Sequence, residues 1–289
     1  MNLEAGKKRK TGLVLEGGAM RGLFSAGILD VMMENKLRTD GLIGVSAGAA
    51  FGCNYKSVQI GRAIRYNKKY CRDARYCSWQ SWIRTGDLFG AEFCYHELPE
   101  KLDRFDCAAY DSNPLEFYLV CTDVHTGLAE YHRCPAANPE CFEWMRASGS
   151  MPLVSRIVSV GGGQYLDGAI ADSIPLRFFE HLGYERNIVI LTQPAGYLKK
   201  PSAVLGLLKM VYRKYPALLR AMERRHKIYN ETVNYVEAQA ALDRVLLLRP
   251  ESTLPVRRIS RDPEQLQRTY DLGRMLAEKK LKAIKSFLD

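Results

Sequence analysis

The sequence has no apolar run approaching the roughly 18 residues that a membrane-spanning helix needs. Its N-terminus, MNLEAGKKRKTG, is basic and lacks the apolar segment of a secretory signal peptide. No two cysteines are spaced as C-x-x-C, and no cysteine–histidine spacing fits a zinc site. We therefore expect a cytoplasmic protein that keeps its eight cysteines as free thiols and needs neither a metal nor another cofactor.

Linkers and repeats are missing as well, since no low-complexity stretch and no internal repeat divides the 289 residues. We predict one domain over residues 1–289. Its core spans residues 11–195, and a mostly helical insertion rich in arginine, tyrosine, tryptophan and cysteine covers about residues 60–112. A C-terminal strand and helices occupy residues 196–289.

Short apolar segments alternate with helical patterns along the chain. Continuous apolar character over a few residues is typical of strands covered on both faces of a parallel sheet. Strands that alternate with helices are typical of the α/β class, so we predict a mainly parallel central sheet flanked by helices. The predicted strands are residues 11–16, 41–46, 116–123, 187–193 and 245–250.

Gly44-Val45-Ser46-Ala47-Gly48 has the pattern G-x-S-x-G and lies between an apolar strand and a helix of small residues. This is the setting of a nucleophilic serine, because a tight strand-to-helix turn with glycine at both flanks leaves the hydroxyl exposed. The helix N-terminus behind the serine also favours negative charge. The alternative is a structural turn in which Ser46 only caps the helix.

A second glycine-rich loop, LEGGAMRG at residues 15–22, also follows a strand and opens a helix. It matches neither G-x-x-x-x-G-K-[ST] nor G-x-G-x-x-G, so nucleotide binding is disfavoured. If its strand lies beside that of Ser46, the backbone amides of the loop face the serine. They would then bind a substrate carbonyl oxygen as it becomes anionic.

A serine of ordinary pKa needs a base. Asp167, in GGGQYLDGAIADSIPL, is a candidate, since partial burial would raise its pKa from about 4 and ease proton transfer. Taken alone, Asp167-Gly168 is more typical of a turn. None of the five histidines lies in a strand-end motif, and a triad with His181 or His226 is the alternative.

The stretches EGGAMRG, GVSAG and DGA, in that order, resemble the motifs of the patatin-like phospholipases, and the C-terminal part resembles a bacterial branch of that family. ASGSMPLV, residues 147–154, resembles a family segment that lines the site. The resemblance implies a three-layer α/β/α fold and a phospholipase or lysophospholipase. In that enzyme Ser46 is the nucleophile and Asp167 the base, without histidine.

The resemblance also assigns the oxyanion hole, to Gly17, Gly18, Ala19 and Arg21. The usual loop of the family has a third glycine where this chain has Ala19, and alanine fits there if its φ is negative. Two alternatives remain open. One is a thioesterase or acyltransferase with the same dyad, and the other is a non-catalytic module that binds acyl lipids.

Most of the net charge of +10 comes from residues 199–227, which carry nine lysines and arginines against one acid, Glu223. A basic amphipathic helix over residues 203–215 would suit peripheral contact with an anionic membrane. The alternative is a surface helix that packs its apolar face on the core. We expect no nucleic-acid partner, because no recognition motif is present. The apolar face consists of Val204, Leu207, Leu208, Val211 and Tyr215.

Overall fold

The computed structural model describes residues 9–289, and eight strands within them form one sheet. The strands are β1 (Lys10–Leu15), β2 (Gly41–Val45), β3 (Glu116–Asp123), β4 (Ala129–Arg133), β5 (Val158–Val160), β6 (Gly163–Asp167), β7 (Tyr184–Ile190) and β8 (Val245–Leu248). The sheet order is β5-β6-β3-β2-β1-β7-β8, with β4 also paired to β3. Strands β3, β2, β1, β7 and β8 are parallel, whereas β4, β5 and β6 form antiparallel pairs.

Eleven α-helices within the described residues surround this sheet: α1 (Gly22–Glu34), α2 (Ala47–Lys56), α3 (Arg62–Tyr70), α4 (Trp79–Thr85), α5 (Cys107–Ser112), α6 (Pro139–Gly149), α7 (Leu176–His181), α8 (Leu205–Val211), α9 (Pro216–Ala241), α10 (Pro263–Lys279) and α11 (Leu281–Leu288). A π-helix covers Phe93–Leu102, and short 3₁₀ turns cover Ala19–Arg21 and Gly168–Ile170.

The central strands are apolar throughout because both of their faces are buried. Leu13 and Leu15 of β1 belong to the core formed with α1, α2 and α10. Val14, between them, belongs to a second core on the opposite face, formed with α7 and α9. Successive side chains of a strand point to opposite faces, so each strand residue meets a helix. The fold is the α/β class predicted from the sequence, with helices on both faces of a mainly parallel sheet.

Helix α10, in the C-terminal region, is attached to the core through close contact with α1. A Cβ atom on Gly27 would collide with the main chain of Tyr270, and one on Gly273 with the main chain of Phe24. The carboxylate of Asp30 accepts hydrogen bonds from the Tyr270 hydroxyl (2.7 Å) and the Gly61 amide (2.9 Å). Burial raises the pKa of Asp30, and these donors oppose the rise.

Two features differ from the sequence-based expectations. The helix expected over residues 203–215 ends at Val211, and a new helix begins at Pro216, because proline lacks the amide needed inside a helix but fits its first turn. Strands β4, β5 and β6 have no counterpart among the predicted strands. β5 has three residues and β6 five, too few for a recognisable apolar pattern.

Candidate active site

Ser46 occupies the tight turn between β2 and α2, with the unusual backbone angles φ 55° and ψ −120°. The turn leaves no room for side chains at its two glycines. A Cβ atom on Gly44 would lie 2.5 Å from the main chain of Gly48, and one on Gly48 would lie 2.6 Å from the Leu15 carbonyl oxygen. A positive φ in a non-glycine residue is sustained only where surrounding contacts fix it.

The Ser46 side chain makes no capping hydrogen bond to α2, so the simple capping role does not describe it. The main chain of the turn is held by Ser148, in the segment 147–154. The Ser46 amide donates to Ser148 Oγ (2.9 Å), which donates in turn to the Val120 carbonyl (2.7 Å). Ser148 is fully buried, and sequence reasoning had marked only its segment and not this residue.

Strand β3 brings Asp167 to Ser46. β2 pairs with β3 as far as Val45 opposite Val120, and β6 pairs with the next part of β3, with Asp167 opposite Cys121. The ends of β2 and β6 therefore meet beside neighbouring residues of one strand. Gly168 permits this approach, because a Cβ atom there would collide with the Val120 carbonyl.

Asp167 is 6% exposed, and burial raises the pKa of its carboxyl group. Three groups oppose that rise, with effects that decrease in this order: the positive charge of Arg225, the amide of Ala169 and the hydroxyl of Ser46. The firm hydrogen bond to the carboxylate comes from the Ala169 amide, at 2.8 Å. The Ser46 hydroxyl also stabilises the carboxylate, but less than this amide does. A buried carboxylate facing a hydroxyl is suited to accept its proton.

The glycine-rich loop touches the serine. A Cβ atom on Gly17 would lie 2.8 Å from the Val45 carbonyl oxygen and 3.0 Å from Ser46 Cβ. Within residues 9–289, no protein group accepts the amide hydrogens of Gly17 or Gly18. These donors are therefore free to bind an oxygen atom beside Ser46. Ala19 has φ 49°. The sequence predicts that alanine fits this position with a negative φ, and the structure does not show one.

Arg21 contributes to the loop differently from the sequence expectation. Its amide donates to the Gly18 carbonyl oxygen (3.2 Å) and is not available to an oxyanion. Its side chain lines the cavity beside Ser46, and its buried Nε has no partner among the described residues. Glu16 holds the start of the loop, accepting from the Thr192 amide (2.6 Å) and the Tyr229 hydroxyl (2.9 Å).

Two cavities meet at Ser46. One, of about 130 Å³, is mostly apolar and is lined by α2, α3, the π-helix and α6, including Phe51, Tyr66, Leu98 and Met145. The other, of about 270 Å³, contains Asp167, the glycine-rich loop and several cationic side chains. Ser46, Ala19 and Met151 belong to both walls. A substrate with an apolar and a polar part could lie across the serine.

The cations of the polar cavity are Arg21, Lys199, Arg225 and Arg258. Sequence reasoning did not place the last three at the site. Lys199 and Arg225 lie in the basic stretch 199–227, and that concentration of charge was the feature of the sequence that could have indicated them. No local pattern marks Arg258.

The histidines do not reach the serine: none of the five, all within the described residues, lines either cavity. His181 is exposed at the end of α7, and His226 lies on α9 outside both walls. Within residues 9–289, no three histidine, cysteine, aspartate or glutamate residues are grouped as metal ligands. In the same part of the chain, no helix has the length and apolar character required to cross a membrane.

Comparison with known proteins identifies the family of this chain. The model described as "Patatin-like phospholipase" matches residues 13–179, and one described as "Domain of unknown function (DUF6363)" matches residues 215–289. The chain is 26% identical to "Uncharacterized protein YjjU" of Escherichia coli over 271 residues, 91% of this chain and 74% of that protein. It is 26% identical to "Lysophospholipase nte1" of Aspergillus niger over 61% of this chain but only 11% of that protein.

A solved structure, "Human GIVD cytosolic phospholipase A2 in complex with Methyl gamma-Linolenyl Fluorophosphonate", has the same fold at a TM-score of 0.51 and 11% identity. The match covers 97% of this chain and 59% of that one. The family model spans more than half of the chain and includes both Ser46 and Asp167. The chain therefore belongs to the patatin-like phospholipase family, as its motifs had indicated.

Proposed function

We propose that the protein is a serine hydrolase of lipid acyl esters, with Ser46 as nucleophile and Asp167 as general base. The observation that carries the proposal is the meeting of three separate segments. The strained Ser46 turn, the buried carboxylate and the free amides of Gly17 and Gly18 converge on one point, where the two cavities join. Membership of a family of lipid acyl hydrolases supports the same reading.

In the first half of the proposed reaction, Asp167 takes the hydroxyl proton of Ser46 as Ser46 Oγ attacks the ester carbonyl carbon. The carbonyl oxygen becomes anionic and accepts hydrogen bonds from the amides of Gly17 and Gly18. The intermediate then collapses, the bond to the alcohol breaks, and Asp167 returns its proton to the leaving oxygen. An acyl-Ser46 ester remains.

In the second half, a water molecule takes the place of the alcohol. Asp167 accepts a proton from that water as its oxygen attacks the acyl carbon, and the same amides stabilise the new oxyanion. Collapse breaks the bond to Ser46 Oγ, which recovers the proton from Asp167. Acid and free serine are the products.

A fluorophosphonate probe tests the proposal, since it labels only an activated serine. We expect labelling of the native protein at Ser46, none of Ser46→Ala, and hydrolysis of p-nitrophenyl butyrate only by the native form. A folded native protein that is neither labelled nor active would instead be a non-catalytic acyl-lipid module. If an acceptor alcohol or thiol diverts most of the acyl group from water, the protein is an acyltransferase.

We also propose that the cavity mouth contacts an anionic membrane surface. Of the apolar side chains on α8, only that of Leu208 is buried, while Leu207, Met210 and Val211 are exposed. Trp79 and Ile83 of α4 are exposed as well, and we call the exposed apolar side chains of α8 and α4 the rim. Such apolar groups beside lysines and arginines suit the interface of an anionic bilayer.

Residues 151–154, which line the polar cavity, connect the two helices of this rim. The Leu153 carbonyl accepts a hydrogen bond from Trp82 Nε1 (3.0 Å), and the Leu153 amide donates to the Tyr212 hydroxyl (3.0 Å). Leu153 and Leu208 also line the polar cavity, so a membrane that covered α4 and α8 would lie next to the cavity that contains Ser46.

A matched pair of methionines tests the membrane contact. Met210 on α8 is 66% exposed, and Met275 on α10, away from the rim, is 63% exposed. Co-sedimentation with phosphatidylglycerol-containing vesicles should decrease for Met210→Ser and not for Met275→Ser. Equal binding by the two variants, or binding that is indifferent to anionic lipid, would remove the proposal.

A further inference from the structure

The polar cavity carries more positive charge than its own carboxylates balance. Four cations, Arg21, Lys199, Arg225 and Arg258, line it, against two acids, Glu16 and Asp167. Among the described residues, none of the four cations forms an ion pair with a carboxylate. Cations gathered without carboxylate partners in a sheltered cavity are characteristic of a binding site for an anion.

The two acids have other partners. Glu16 accepts hydrogen bonds from Thr192 and from the Tyr229 hydroxyl, and Asp167 accepts from the Ala169 amide. The charge of Arg225 acts on Asp167 and that of Arg21 on Glu16, but four cations against two carboxylates leave the cavity with a net positive charge. The proteins that hold such clusters commonly neutralise them with a phosphate or carboxylate group of a ligand.

Arg21, Lys199 and Arg225 are partly buried, whereas Arg258, which also lines the cavity, is exposed. Arg225 Nε donates to the Ala169 carbonyl oxygen (2.6 Å), which leaves its terminal nitrogens available. Lys199 Nζ lies 4.0 Å from the centre of the Tyr229 ring. Burial, reinforced by the charge of Arg225, lowers the pKa of Lys199 to about 7. The buried Nε of Arg21 lacks a partner in the described chain.

We infer that this cluster binds the phosphate group of the substrate's alcohol portion, so that the enzyme prefers acyl esters whose head group carries net negative charge. This rests on the proposed function. The apolar cavity takes the acyl chain on one side of Ser46, and the cations hold the phosphate on the other. The ester bond then lies across the serine, beside the free amides of Gly17 and Gly18.

Three of the four cations lie outside the part of the chain that matches the patatin-like model. The patatin-like match ends at residue 179, and Lys199 lies C-terminal to it. Arg225 and Arg258 lie within residues 215–289, which match the domain of unknown function. The inference therefore gives that C-terminal region a function: it supplies head-group recognition to a hydrolase whose reacting residues lie elsewhere in the chain.

Three substrates with the same short acyl chain test the inference below their micelle-forming concentrations. They are a lysophosphatidate with a phosphate monoester, a zwitterionic lysophosphatidylcholine and a neutral monoacylglycerol. We expect kcat/KM to decrease in that order. Arg258→Gln should lower the ratio of kcat/KM for the first substrate to that for the third about tenfold, as for loss of one charge-assisted hydrogen bond. The ratio cancels any general loss of activity.

Arg257 provides the matched control, since it is adjacent to Arg258 and exposed like it, but lies outside both cavities. Arg257→Gln removes the same charge and should leave the ratio unchanged. Equal kcat/KM for the three head groups, or equal ratios for the two variants, would overturn the inference. So would inhibition of neutral-ester hydrolysis by inorganic phosphate without any head-group preference, which would make the cluster a site for free anions.

Failure of the proposed function has a separate signature, namely no hydrolysis of any of the three substrates and no fluorophosphonate labelling. In that case a binding measurement alone tests whether the cluster holds a phosphate group. Calorimetric titration of Ser46→Ala with the lysophosphatidate should give a dissociation constant about tenfold larger when Arg258→Gln is added. Unchanged affinity would reject the phosphate subsite regardless of catalysis.

Discussion

Replacing Asp167 by asparagine separates the chemistry of the carboxylate from its structural role. Asparagine has nearly the same size, and its Oδ1 can still accept the hydrogen bond from the Ala169 amide that holds Asp167 at 2.8 Å. What it loses is the ability to take a proton from Ser46. A positioned general base accelerates reactions by about 10²- to 10⁴-fold, so kcat/KM should fall by that factor in Asp167→Asn.

The pKa of Asp167 predicts how activity and stability diverge in this variant. Burial raises the pKa, so ionising the carboxyl group costs more in the folded than in the unfolded chain. The protonated form therefore adds stability at low pH, and that contribution is lost as pH rises through the folded pKa. At neutral pH, Asp167→Asn removes a buried charge and should unfold at an equal or higher urea concentration than the native protein.

The same shift sets the pH dependence of the reaction. Only the ionised carboxylate can accept the Ser46 proton, so kcat/KM should rise with pH, with its midpoint above the ordinary aspartate value of about 4. The assay is hydrolysis of p-nitrophenyl butyrate in overlapping buffers at constant ionic strength. A midpoint at or below the ordinary aspartate value would contradict the assignment of Asp167 as a buried base.

Asp172 supplies the control. Burial also raises the pKa of Asp172, whose carboxylate accepts from the Tyr131 hydroxyl (2.9 Å) and lies outside both cavities at Ser46. Asp172→Asn should keep its activity. If Asp167→Asn retains more than a tenth of the native kcat/KM while Ser46→Ala is inactive, the base is a different group, and the histidine alternative returns.

Three other perturbations follow from single contacts. Ser148→Ala leaves the Ser46 amide and the Val120 carbonyl without their buried partner, and should destabilise the fold by about 1–3 kcal/mol in urea unfolding; an unchanged midpoint would contradict this. Gly17→Ala adds a Cβ atom that pushes the loop away from Ser46 and displaces an oxyanion donor, so kcat/KM should fall about 10²-fold. An unchanged kcat/KM would contradict the role of this loop. Binding of sulfate, which does not itself titrate near neutral pH, should take up protons at pH 7.5, because an anion raises the lowered pKa of Lys199. Calorimetry in two buffers of different ionisation enthalpy measures the uptake, and its absence would exclude Lys199.

The sequence was sufficient for those parts of the site that local rules determine. Gly44 and Gly48 are required by the turn itself, and that requirement is legible in five residues. The five predicted strands are present because a strand buried on both faces must be apolar throughout. The family indicated by the three motifs is confirmed by the match over residues 13–179.

Asp167 shows where local rules end. From its own neighbours it is a turn residue, and it does cap a short 3₁₀ turn through the Ala169 amide. Its place beside Ser46 depends on β6 continuing along the edge of β3 where β2 stops. That pairing joins residues more than forty positions apart in the sequence, and no pattern within β6 encodes it. The family resemblance was needed to connect the two residues.

The cations of the polar cavity were beyond prediction for the same reason, and their positions show why the C-terminal region belongs to the site. On α9, Arg225 and Tyr229 are four residues apart and so lie on one face. Arg225 binds the Ala169 carbonyl in the loop after Asp167, and Tyr229 binds Glu16 at the start of the glycine-rich loop. One helix face therefore fixes both loops that must converge on Ser46. The motifs all lie before residue 180, yet the geometry that makes them a site depends on residues after it.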